Sequence, residues 1–196
     1  LARVFDHCSM KYRSGFRMLT LGWSDGNSFI PVSYSLLSAA EDKNLLCGGK
    51  RHDGRSLAGR RRLQSRRKAT DVMVELIHSA QRAGITAKFV LFDSWFSAPK
   101  TILELKKQEH LDTIAMMKKS KTKYRYQGER LNVKEIYSRN KKRRGRSRYL
   151  LSVLVEIEKD GESIPAKLVF VRNKSKRKDW LVLVSTDTSI SEEEII

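Results

Sequence analysis

The chain has 196 residues, with 40 Lys and Arg against 22 Asp and Glu, so its formal charge is +18. An apolar share of 40% is enough for a core and argues against wholesale disorder, and no apolar run approaches the ~20 residues that cross a bilayer. Cys8 and Cys47 are too few and too far apart for a disulfide framework or a four-cysteine zinc site, which suits a reducing cytoplasm and no membrane.

From the start of the chain, Gly15 to Trp23 and Ser28 to Leu37 read as two strands, and Ser24-Asp25-Gly26-Asn27 between them is a hairpin turn. Asp25 is therefore a turn residue. Ser38 to Arg67 reads as a long, basic, glycine-containing loop. Val72, Leu76, Ala80 and Ala83 then recur at helical spacing, with Thr70 as the N-cap and Gly84 past the end. Lys88 to Phe92 (KFVLF) is a short, continuously apolar strand of the kind found inside a parallel sheet. A helix is expected over Ser97 to Gln108, with Pro99 in its first turn, and a strand over Thr113 to Met117. Strands alternating with helices point to an α/β layer. Beyond it, Tyr149 to Ile157, Ala166 to Arg172 and Trp180 to Ser185 read as an antiparallel β unit. Ser191 with Glu194 is a capping box opening a helix. The chain starts with Leu and stops in that helix, so it reads as a fragment.

The positive charge is concentrated in two places. Lys50 to Lys68 holds nine Lys and Arg against one Asp, and Lys118 to Arg148 holds fourteen against two Glu. The remainder is close to neutral. Segments like these neutralise phosphates and release counterions, which favours nucleic acid irrespective of its sequence. Either run alone would also suit a solvated loop. The phosphate contacts expected are Arg60, Arg61, Arg62, Arg66, Arg67 and Lys68, together with Lys141, Lys142, Arg143 and Arg144. Tyr124 and Tyr126, set among lysines, could add stacking.

Asp93 is the strongest candidate for chemistry. It ends the apolar strand KFVLF and precedes a helix, at the sheet edge where ligands and catalytic groups of open α/β sheets collect. A carboxylate there can hold a hard cation such as Mg²⁺, although one carboxylate cannot make a two-metal site. The position also suits a simple helix cap, and position alone does not choose. Trp95 and Phe96 are read mainly as packing under this edge, with base stacking as the alternative. The four histidines, His7, His52, His78 and His110, do not cluster at metal spacing.

Three runs carry a resemblance: RVFDH at Arg3 to His7, GFRMLTLGWSDGNSFIPVSYSLL at Gly15 to Leu37, and VLFDSWFSAP at Val90 to Pro99. They resemble the DDE-superfamily transposases of bacterial insertion sequences, over nearly the whole chain. That resemblance implies an RNase H-like α/β fold, a mixed sheet with flanking helices interrupted by an antiparallel β insertion. It divides the chain into a partial catalytic core at 1–117, a basic β-rich insertion at 118–188 and the start of the last catalytic helix at 189–196. In the family, two Asp and one Glu hold two Mg²⁺ ions, for which Mn²⁺ can substitute. Phe92-Asp93 matches the second catalytic Asp, which makes Asp93 the expected catalytic residue and metal ligand. The first Asp would lie on a strand ahead of Leu1, and the Glu further along the helix opening at Ser191. Glu192, Glu193 and Glu194 read as helix capping. Asp6, His7 and Trp95 are candidate neighbours of the site. The function implied is cleavage and transfer of double-stranded DNA at element ends and target, by an enzyme that is a homodimer when complete and works in the bacterial cytoplasm at the nucleoid. The fragment alone would be inactive. Two alternatives remain, a non-enzymatic basic nucleic-acid-binding protein and an RNase H-like nuclease without strand transfer.

Overall fold

The computed structural model describes residues 1–6, 8–47, 53–176 and 179–196. These fall into two units, residues 1–86 and 87–196, each with its own core.

The first unit opens with the hairpin β1 (Ala2–Asp6) and β2 (Lys11–Gly15), followed by β3 (Arg17–Ser24) and β4 (Phe29–Leu37). β3 and β4 pair antiparallel around the expected turn, where Asp25 Oδ1 accepts the backbone N–H groups of Asn27 and Ser28 (2.9 and 2.7 Å) and Gly26 takes φ 96°. The segment read as a loop contains a helix, α1 (Leu57–Gln64), capped by Ser56. The sequence hides it because its only buried residue is Gly59, so no apolar stripe announces it. α2 (Ala69–Arg82) begins ahead of the expected cap, Thr70; Lys68 holds the cap position, and Gly84 ends the helix at φ 83°. Val72 and Leu76 of α2 bury against Leu37.

The second unit is built on seven strands. They are β5 (Phe89–Phe92), β6 (Asp112–Met116), β7 (Lys123–Tyr126), β8 (Glu129–Asn132), β9 (Tyr149–Lys159), β10 (Glu162–Arg172) and β11 (Trp180–Ser185). Their order in the sheet is β5-β6-β11-β10-β9-β7-β8, with β5 and β6 parallel and every other pair antiparallel. β5 is therefore an edge strand of this sheet, not an interior one, and Leu91 on it is 71% exposed. α3 (Pro99–Lys107) and α4 (Val133–Arg139) pack on one face. Ile102, Leu103 and Ile136 bury there against Leu168, Phe170, Val182 and Val184. The other face takes Ile190 and Ile195, the latter in α5 (Glu192–Ile195), against Val169. Facing residues alternate along β10, Leu168 and Phe170 to one core and Val169 to the other, as a two-faced strand requires. This mixed sheet with flanking helices is compatible with the RNase H-like fold.

The basic run 118–148 is folded, not a solvated loop. Its strand KYRY alternates exposed and buried residues, placing Tyr124 and Tyr126 in the core at 3% and 8% exposure. Neither tyrosine is free to stack on a base, and burial pushes the Tyr124 hydroxyl up to about 12.

Candidate nucleic-acid interface and active-site edge

β5 ends at Phe92, and Asp93 is exposed at its tip. One carboxylate oxygen accepts the backbone N–H of Trp95 (2.8 Å), and the Asp93 carbonyl accepts that of Phe96 (3.2 Å). The carboxylate thus fixes the turn into α3, whose Pro99 occupies a first-turn position where a missing N–H costs nothing. Its other oxygen accepts no hydrogen bond among the described residues. Phe96 packs edge-on against Phe92, with centroids 6.4 Å apart. Trp95 does not pack beneath the edge as expected; it is 60% exposed, with the Lys118 ammonium 4.2 Å from its ring centroid.

The strand registers show what shares this end of the sheet. β6 runs parallel to β5, so Lys118 and Lys119 follow at the same end; β11 is antiparallel to β6 and begins there with Trp180. Trp180 pairs with Arg172, the end of β10, and Val171 with Tyr149, the start of β9. The basic segment 141–148 therefore meets the sheet at the end where Asp93 lies. Arg172 ties it down by donating to the carbonyls of Ser147 (2.6 Å) and Gly145 (3.0 Å).

Four cations at this end sit over aromatic rings. Lys118 covers Trp95, Lys119 covers Trp180 at 4.1 Å, Lys142 covers Tyr137 at 4.5 Å, and Arg143 covers Tyr149 at 4.2 Å. Two of those rings reach the core: Tyr137 stacks on Trp180 at 4.5 Å, and both pack on Phe170. Such contacts hold charged heads in place without neutralising them. Lys119 also pairs with Asp179, whose carboxyl is held at about 2, first by that bond and then by the Trp180 N–H. Among the described residues, Lys118, Lys141, Lys142, Arg143, Arg144 and Arg146 have no carboxylate within 4 Å. At the far end the cations are matched instead. Glu158 takes Arg125 (2.6 Å) and Arg130 (2.7 Å), and the Arg130 bond holds its carboxyl below the usual range.

The other predicted residues lie as follows. Asp6 accepts the Cys8 N–H (3.0 Å) and the Ser9 hydroxyl (2.7 Å) and pairs with Arg13 at 3.4 Å, which places its carboxylate in the service of the β1–β2 turn; the Ser9 bond leads in lowering its pKa. His7 lies outside the described residues. Arg60, Arg61, Arg62, Arg66, Arg67 and Lys68 are in the first unit and are all exposed. Arg66 pairs with Asp42, and Arg67 with Glu75 (2.5 Å). Of the three terminal glutamates, only Glu194 caps α5. Glu192 instead accepts the Ser152 hydroxyl (2.7 Å), and Glu193 lies 4.0 Å from Arg148. Arg172 does not stand out in the sequence, whereas Lys118 opens the second basic run and follows the strand expected over Thr113 to Met117.

The sequence profile of the DDE superfamily endonucleases matches residues 1–180. The chain belongs to this superfamily. Comparison with curated proteins and with solved structures returns no match. DDE superfamily endonucleases act on DNA and generally use divalent metal ions. Asp93 suits a metal ion by its donor chemistry, a hard carboxylate oxygen at an exposed strand tip. Among the described residues, however, no three His, Cys, Asp or Glu side chains gather to hold one. The described residues of this DDE endonuclease thus offer one candidate ligand and no cluster of three.

Proposed function

We propose that this DDE endonuclease is part of an insertion-sequence transposase, in which Asp93 is a catalytic metal ligand and the cation-lined sheet end holds double-stranded DNA. The observation that carries the proposal is the arrangement of one sheet end: an exposed carboxylate at the tip of β5, with unneutralised cations on the segments following β6 and preceding β9. A carboxylate repels phosphate unless a cation stands between them. A DNA strand drawn in by Lys118, Arg143 and Arg144 would therefore meet Asp93 productively only through a divalent ion, Mg²⁺ or Mn²⁺. When bound, that ion would polarise the phosphodiester and stabilise the leaving oxygen. Asp93 keeps its orientation through the Trp95 N–H, the rim cations fix the DNA backbone, and the remaining acidic ligands come from outside the described residues. The segment 118–188 is proposed as the basic insertion, and the active enzyme as a homodimer in the cytoplasm.

The test is metal-dependent cleavage and joining of a plasmid bearing element ends, by the polypeptide extended at both ends through its reading frame. Asp93→Ala should lower cleavage about a thousand-fold or more, in line with the several kcal/mol such ions supply. Its circular dichroism should be unchanged. Cleavage that survives the substitution removes Asp93 from the chemistry. The family description as an endonuclease keeps a second reading in play, cleavage without strand transfer. Joining of a freed 3′ hydroxyl to a second DNA separates the two.

A further inference from the structure

The chain has three tryptophans, and two have evident structural work. Trp23 donates its indole N–H to the Thr86 carbonyl (3.0 Å), and Trp180 stacks on Tyr137 and packs on Phe170. Trp95 differs from both. It is 60% exposed, and among the described residues it has neither a ring partner nor an acceptor for its indole N–H. Its exposure does not come from a loose loop. The Trp95 backbone N–H is held by the Asp93 carboxylate, the Ser97 hydroxyl donates to the Ser94 carbonyl (3.0 Å), and Phe96 is anchored on Phe92. A rigid turn therefore presents a large apolar ring to water and forgoes the stabilisation that burying it would bring. The charged group that attends the ring is the Lys118 ammonium, 4.2 Å from its centroid.

We infer that Trp95 and Lys118 form a subsite for an unpaired nucleotide of the DNA strand held at Asp93. The base stacks on the indole, and the adjoining phosphate faces the Lys118 ammonium. The inference rests on the proposed DNA-binding role of this sheet end and adds the kind of DNA it selects. Bases inside a duplex have both faces covered by their neighbours, so only a terminal or displaced base can offer its face to an indole. A lysine is a compact point charge, suited to a phosphate and indifferent to base identity. Together they would recognise an opened strand end without reading its sequence. The rim cations would meanwhile hold the paired backbone beyond it.

The experiment is done without metal, so that no cleavage enters it. Binding of the chain is measured for two DNAs of equal length and charge. One is fully paired, and the other carries two mismatched terminal pairs with 2-aminopurine at the end. The chain should bind the opened DNA about ten-fold more tightly, the usual worth of stacking one base, and quench the 2-aminopurine. Trp95→Ala should lose both the preference and the quenching, with at most a small, equal loss of affinity for both DNAs as Lys118 loses its seat. Trp95→Phe, which retains an aromatic face and guards against a folding defect, should keep part of each. Equal binding of the two DNAs by the unmodified chain overturns the subsite, as does full preference and quenching in Trp95→Ala. Loss of cleavage in the Asp93 test leaves this preference untouched. A preference that is absent alongside normal metal-dependent cleavage removes the subsite alone, so the two readings fail separately.

Discussion

Two basic segments of nearly equal density are built in opposite ways. In the first unit, Arg60, Arg61 and Arg62 ride on α1, a helix whose one buried residue is Gly59, and Arg66 and Arg67 have carboxylate partners in the same unit. In the second, Lys142 stands over Tyr137, Arg143 over Tyr149 and Lys119 over Trp180, and the rings of Tyr137 and Trp180 are rooted in the core through Phe170. Net charge is therefore a poor guide to a phosphate site. Charge held in a fixed place, unneutralised and at the same sheet end as a candidate catalytic group, is a better one, because engaging each phosphate then costs less ordering of long side chains.

The sharpest way to break this contrast is to remove the root. Phe170, on β10, is fully buried and packs on both Tyr137 and Trp180. Phe170→Ala should destabilise the second unit by about 3–5 kcal/mol, the range for a deleted core aromatic. It should also weaken DNA binding at temperatures where the unit remains folded, because Lys119 and Lys142 lose their seats. The counterpart in the first unit, Leu63→Ala on α1, removes a side chain that is 57% exposed and should cost less than about 1 kcal/mol. Urea unfolding of both variants tests the difference. Equal losses would show that the core does not support the cationic rim.

The next effect is electrostatic. Replacing Lys141, Lys142, Arg143 and Arg144 with Gln should reduce the slope of log affinity against log salt by about 3–4, since each phosphate that is no longer neutralised lowers it by roughly 0.9. Replacing Arg66 and Arg67 should change it by less than about 1 on the same scale, because Asp42 and Glu75 already occupy them. Titration of a short labelled duplex at several salt concentrations reads both slopes. A larger change in the Arg66, Arg67 variant would reverse the ranking of the two segments.

Why the two segments differ so little in sequence is instructive. The hairpin around Asp25 and Gly26, α2, α3 and the strand leading to Asp93 are legible because each carries a contiguous or periodic apolar set in its sequence, with a turn, Gly84 or Pro99 marking a boundary. The stretch 118–148 is not, because its core residues Tyr124, Tyr126, Leu131, Val133 and Ile136 are separated by lysines and arginines that dominate its composition. The alternation in Lys123-Tyr124-Arg125-Tyr126 is the strand signal, and Asn132 with Glu135 is a capping box opening α4. At the site, Asp93 can be placed from one strand and one helix start. Its association with the 141–148 segment cannot, since that follows from β11 and β10 lying between β6 and β9, an order that local patterns do not encode; Lys118 comes there because β6 runs parallel to β5.

The smallest effect lies inside the rim itself, at its one closely matched ion pair among the described residues. Asp179 is held at about 2, below its ordinary 3.8, chiefly by Lys119. A carboxyl whose folded pKa is depressed adds stability above its unfolded pKa, and that contribution disappears as pH falls through the folded value. The gain from Asp179 should therefore be complete above about pH 5 and be lost progressively down to about pH 1. Comparing melting temperatures of the unmodified chain and Asp179→Asn across that window isolates it, because other depressed carboxyls such as Glu158 and Glu192 titrate in both proteins. The pair is exposed, so the difference should be small and should shrink in salt. The same substitution leaves Lys119 without its carboxylate, so near neutral pH it should raise DNA affinity slightly. A rise would place Lys119 among the DNA contacts, and no change would leave it as a strut beneath Trp180.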